Sequence, residues 1–179
     1  YTFAVPASII YHLITLKIME TKGHKGLLGV TIFASLLCIV SIVWILVQSY
    51  FVCTGSGEGC IVWHEKIYVM QMSIFIGRLL FKNAFYALIV VFLIKQYKAI
   101  KNGVLFPRVN IGIMYAIAAC YLIGNFCHLN FEILVIPATE GTANLVINMD
   151  TLIYTMLLLV FASVYKIAVK VSEENNLTI

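Results

Sequence analysis

Apolar residues run along this chain in four long blocks separated by short polar segments, without the alternation of a half-buried strand or the narrow stripe of a soluble helix. The first block, 27–52, is interrupted by nothing stronger than Thr31, Ser35, Ser41, Gln48 and Ser49. At 1.5 Å per residue it exceeds the roughly 30 Å hydrocarbon thickness of a bilayer. Residues 53–66 follow as a loop built from Thr, Ser and three glycines, which cannot continue a helix at membrane depth. A second block, 67–94, carries Arg78, Lys82 and Asn83 within it and is longer than a perpendicular crossing requires, so it begins outside the lipid or tilts. A basic connector, 95–110, holds Asn102 and Gly103, which suit a helix C-cap, and Pro107, which suits the first turn of the next helix. The third block, 111–131, turns polar in its last third with Asn125, His128 and Asn130, and Glu132 follows it. After a second loop at 136–144, the fourth block, 145–169, has Asp150 near its start and Lys166 and Lys170 at its end. The pattern predicts an all-α integral membrane protein, a bundle of four transmembrane helices, followed by a polar tail over 171–179.

Residues 1–26 form an N-terminal flank. Their first 18 residues are apolar but short, contain Pro6, His12 and Lys17, and do not count as a span. Met19, with Lys22 and Lys25 ahead of a long apolar block, reads as a native start, which makes 1–18 an upstream extension or an interfacial helix; a cleaved signal peptide does not fit so long a block. The four-helix domain covers 27–170.

Composition agrees with lipid as the main solvent: 62% of the 179 residues are hydrophobic and 11% charged, against about 25% charged in a soluble domain. The formal charge of +4 does not indicate nucleic acid, because the basic residues sit at the ends of the apolar blocks. Lys17, Lys22, Lys25, Lys95, Lys98, Lys101, Arg108, Lys166 and Lys170 all fall on one side of a four-span topology, and the other side has Lys66. Cytoplasmic loops retain positive charge during insertion, so both termini are expected in the cytoplasm, N-in and C-in.

Candidate chemistry is sparse. Arg78 and Lys82, four residues apart, share a helix face, and an intramembrane charge costs roughly 2.5–3.5 kcal/mol even on the lenient insertion scale. Topology brings Glu132 and Asp150 to the same outer half, so Arg78 is expected to pair with one of them, with Asn125, His128 and Asn130 completing a polar cluster. This reads first as a structural network that sets helix register, and second as a ligand or proton site. Lys82 has the reach to snorkel. His128 and Glu132 have the i, i+4 spacing of a helical metal pair, but a site needs three or four ligands, and no metal is expected. No phosphate-cradling loop, dinucleotide fingerprint, zincin motif or nucleophile elbow is present, so neither a cofactor nor a catalytic residue is expected. Cys53 and Cys60 bracket a short glycine-rich loop that an oxidising exterior would allow to close as a disulfide. Trp44, Trp63, Tyr50, Tyr68, Tyr97 and Tyr165 lie mostly near span ends, as an interfacial belt.

The plan of four spans with Cys53, Cys60, Cys120 and Cys127 resembles the DsbB family of quinone-dependent thiol oxidases. That family has a Cys-x-x-Cys pair in its first outer loop and a second pair in its second outer loop. Here six residues separate Cys53 from Cys60 and the second loop has no Cys, so a loop staple plus two apolar core cysteines is the preferred reading. Lys101, Asn102, Gly103 and Phe106 in the connector, and Glu173, Glu174, Asn175, Asn176, Leu177, Thr178 and Ile179 in the tail, carry a closer likeness. Over 22–179 the chain resembles the small bacterial four-span membrane proteins of unknown function typified by YoaS, although that family follows its Phe with Ser or Thr and acidic residues where this chain has Pro107 and Arg108. The resemblance implies the bacterial inner membrane and a cytoplasmic partner of the helix-turn-helix regulator type, docking on Lys95, Lys98, Lys101, Arg108, Glu173 and Glu174. The expected function is non-enzymatic sensing or regulation at the membrane, with the lipid bilayer as partner and no direct contact with nucleic acid. A thiol-disulfide oxidase and an immunity or small-solute transport protein are the alternatives.

Overall fold

The computed structural model describes residues 7–54, 63, 65–134 and 145–177, with side chains described over 25–54, 63, 65–131, 133 and 145–174. Four helices make up nearly all of it: α1 (Ala7–Thr54), α2 (Tyr68–Lys101), entered through a 3-10 turn at Glu65–Ile67, α3 (Val109–Leu134) and α4 (Met149–Leu177). No strand occurs among the described residues. Within them lie four segments long and apolar enough to cross a membrane, Lys25–Thr54, Glu65–Lys101, Val109–Phe131 and Met149–Glu174. The surface is correspondingly oily. Val30, Phe33, Val69 and Ile147 stand more than half exposed, far beyond the patch size that soluble monomers tolerate. This is the make-up of a multi-pass membrane protein.

Polar residues inside these segments do not break them, because short side chains bond back to the carbonyl one turn earlier. Ser41 donates to Leu37 O, Ser49 to Ile45 O, Ser73 to Val69 O and Thr155 to Thr151 O, while Asn83 Nδ2 donates to Leu79 O. The four hydroxyls and the Asn83 Nδ2 are thereby bonded inside their own helices.

The helices pack in chain order, α1 on α2, α2 on α3 and α3 on α4; among the described residues the backbones of α2 and α4 do not approach each other. The α2–α3 interface is the most intimate. A Cβ on Gly77 would meet Cys127 Sγ at 2.7 Å, and one on Gly124 would meet Lys82 N at 3.1 Å and Phe81 C at 3.2 Å. Small residues allow such approaches, which matter where lipid tails remove the hydrophobic drive between helices.

Three boundaries differ from the sequence reading, each for a local reason. α1 starts at Ala7, right after Pro6, and runs without a break into the first span. No proline lies between them, and the glycines at 23, 26 and 29 cost only about 1 kcal/mol each against a cooperative helix. α2 continues to Lys101, seven residues past the expected end of the second span, so Lys95, Lys98 and Lys101 ride on its last turns, where cations favour the helix dipole. It ends in a Schellman motif: Gly103 takes φ 79°, its N–H donates to Ile100 O, and Val104 N–H donates to Ala99 O. The expected cap at Asn102 and Gly103 is therefore present. Pro107 stands just ahead of α3, its carbonyl accepting from Asn110 N–H at 3.0 Å. Finally, α4 begins at Met149 where the apolar block begins at 145. Asn148 caps it, Oδ1 accepting from Asp150 N–H at 2.7 Å.

Candidate functional site

The buried face of α2 is Gln71, Ile74 and Arg78, spaced three and four residues apart and so aligned in one stripe. Two of those three are polar. Arg78 is 5% exposed, and it meets α1 and α3 at once: Nη2 donates to Gln48 Oε1 at 3.2 Å, and Cζ lies 4.4 Å from the centre of the Phe131 ring. Phe131 is itself buried and packs on Phe75, ring centres 5.7 Å apart. A guanidinium is protonated at any accessible pH, so this site holds a permanent charge and does not exchange protons. The contacts offset its desolvation: a hydrogen bond to a charged group contributes about 1.5–3 kcal/mol and a desolvated cation–π contact about 2 kcal/mol. Gln48→Leu removes the acceptor and keeps the volume. It is expected to lower stability in micelles by about 2 kcal/mol, whereas Gln48→Glu, which offers a charged acceptor, keeps it; denaturant titration followed by circular dichroism reads both.

Lys82, one turn beyond Arg78, lines a small cavity of about 50 Å³ with Asn125, Cys120, Tyr86, Tyr121 and Gly124. That volume has room for about one or two waters, which need polar partners such as these. His128 is half-buried on α3. The side chain of Glu132 lies outside the described residues. Asp150 is exposed in the first turn of α4 and does not pair with Arg78, which leaves Glu132 as the expected alternative. α4 rests on α3, and the backbones of α2 and α4 do not approach each other. A carboxylate at a helix N-terminus is also favoured by the dipole without any partner.

Asn130 has a structural role. Fully buried, it donates from Nδ2 to Phe126 O at 2.8 Å and Val146 O at 2.9 Å, and accepts at Oδ1 from Val146 N–H at 2.8 Å. The stretch ahead of α4 is thus pinned to the end of α3. The chain has no match among protein-family models, curated proteins or solved structures.

At the connector end, Gln96 joins three helices: its Oε1 accepts from Asn110 Nδ2 and from Tyr165 Oη, both at 2.9 Å, and its Nε2 donates to Leu105 O. Tyr165 packs edge-on against Phe92 and Phe106. Lys95, Lys98, Lys101 and Arg108 are exposed at this end, and Arg108 Nε lies 3.9 Å from Glu173. Lys170 and Glu174 pair at 3.8 Å. The connector and the tail form one charged surface, held by exposed pairs worth at most about 1 kcal/mol each and so free to exchange partners.

Cys38, Cys120 and Cys127 are unbridged, and the expected Cys53–Cys60 bridge involves Cys60, which lies outside the described residues. No group of three potential metal ligands occurs among the described residues. Sequence reading passed over Gln48 and Phe131. Gln48 registered only as a tolerated interruption, and nothing in the linear pattern marks one phenylalanine among eleven as a cation's partner.

Proposed function

We propose that this is a non-enzymatic multi-pass protein of the bacterial inner membrane, both termini cytoplasmic, that senses or buffers a state of the membrane and relays it to a cytoplasmic regulator. The observation that carries this reading is the convergence of Lys95, Lys98, Lys101, Arg108, Glu173 and Glu174 on one exposed end. There the Gln96–Asn110–Tyr165 junction makes the charged surface sensitive to how α2, α3 and α4 sit together. A regulator with a mixed basic and acidic face could replace the weak Arg108–Glu173 contact at little energetic cost. The helix-turn-helix type of partner and the bacterial membrane follow from the likeness to the YoaS-like family. The thiol-oxidase alternative draws less support, because Cys127 is buried against Gly77 and Cys120 lines the small cavity, so exchange with a soluble protein requires parting α2 from α3.

The test is capture of cytoplasmic proteins by the detergent-solubilised chain, with and without residues 171–179, and with Arg108→Glu combined with Glu173→Arg. The expected result is one regulator bound by the full chain and lost on deletion. A list of captured proteins unchanged by deletion removes the basis of the proposal.

A further inference from the structure

At the connector end, exposed cations outnumber exposed carboxylates six to two: Lys95, Lys98, Lys101, Arg108, Lys166 and Lys170 against Glu173 and Glu174. Both carboxylates are taken, Glu173 lying 3.9 Å from Arg108 and Glu174 3.8 Å from Lys170. Among the described residues, no carboxylate pairs with Lys95, Lys98, Lys101 or Lys166. The connector also doubles back. Val104 N–H donates to Ala99 O and Gln96 Nε2 donates to Leu105 O, so Val104 and Leu105 lie alongside the last turns of α2, the turns that carry Lys95 and Lys98. Their apolar side chains are held open there, Leu105 60% and Val104 48% exposed.

Each part of this band rules out one kind of occupant. Apolar side chains gain nothing from a dissolved anion, and lysines without counter-charges gain nothing from acyl chains. A lipid interface serves both, because hydrocarbon takes the apolar groups, lysine stems cross the boundary, and phosphates lie level with the ammonium groups. We propose that the connector band binds anionic phospholipid head groups, such as phosphatidylglycerol, through Lys95, Lys98, Lys101 and Lys166, with Val104 and Leu105 set among the acyl chains. Charge decides the head group: a zwitterionic lipid brings its own ammonium against these lysines, whereas an anionic one neutralises them. The inference rests on the proposed sensing role and names what is sensed, the density of anionic lipid around the docking surface. Lys95, Lys98 and Lys101 belong to that surface too, so head groups compete with the regulator for them, and the regulator gains access where anionic lipid is scarce.

The full chain in phosphatidylcholine bilayers, with spin-labelled phosphatidylglycerol or phosphatidylcholine as probe, would be read by electron paramagnetic resonance for the share of label immobilised at the protein. The expected result is about threefold preference for phosphatidylglycerol at low salt, falling to parity in about 1 M NaCl, where charges are screened beyond about 3 Å. Lys95→Gln, Lys98→Gln, Lys101→Gln and Lys166→Gln together, all at exposed sites, bring the two labels to parity, while Lys66→Gln, exposed at the other end of α2, leaves the preference intact. Inorganic phosphate at matched ionic strength leaves it intact as well. Parity in the unmodified chain, a preference that survives high salt or the quadruple substitution, one lost with Lys66→Gln, or one displaced by inorganic phosphate each overturns the proposal. Failure of the docking reading is distinct, since it is read from capture after deletion of 171–179, which leaves all four lysines in place.

Discussion

Gly124→Leu is expected to cost about 3 kcal/mol or more and to part α2 from α3. The first added carbon already sits 3.1–3.2 Å from backbone atoms of Lys82 and Phe81, and backbone cannot swing aside as a flexible side chain can. The remaining leucine carbons then have no space without a shift of the whole helix, and the small cavity at Lys82, lined in part by Gly124, is remodelled with it. Gly112→Leu on the same helix is the internal control. A Cβ there meets nothing within 4 Å, so the better helix former is expected to be neutral or stabilising by up to about 1 kcal/mol. Unfolding of both variants in mixed micelles, read by circular dichroism, tests the contrast. Equal behaviour would mean that α2 and α3 do not pack as described.

Asn130→Leu is the second large effect, with an expected cost of about 3 kcal/mol. The replacement keeps the volume but deletes the groups that serve Phe126 O, Val146 O and Val146 N–H. Phe126 O keeps its helical bond, but leaving Val146 O and N–H without partners beside an apolar interior costs more than the mutual bonds contribute in water. The effect should also be local. Hydrogen exchange is expected to show loss of protection at the Val146 amide while amides in the middle of α2 keep theirs. If Val146 remains protected, some other group holds the stretch before α4 and the clamp assignment is wrong.

Much of the architecture was legible as a linear pattern. Long apolar blocks of suitable length, Gly103 after Asn102 at the end of a helix, and an acidic residue in the first turn of α4 are all local signals, and local signals survive without knowledge of neighbours. Helix boundaries were harder for a physical reason: whether a helix pauses at glycines or begins before an asparagine depends on competing terms of about 1 kcal/mol. Asn148 could have been recognised, since Asn immediately before an apolar run with Asp two residues later is an N-cap signature. The polar cluster was harder still. Spacing placed Arg78 and Lys82 on one helix face, yet the first turned out to meet α1 and α3 and the second a cavity on α3.

The amino-acid sequence alone determined that the chain forms long apolar helices with cationic residues gathered at particular ends, because helix formation and hydrocarbon solvation are decided within each segment. Tertiary structure decided the pairings: Gln48 and Phe131 as partners of Arg78, Asn130 as a clamp on Val146, and Asp150 left exposed in the first turn of α4. Those choices depend on which helix lies against which. In a chain whose four helices pack in serial order, that neighbourhood is a property of the assembled whole and of no single segment.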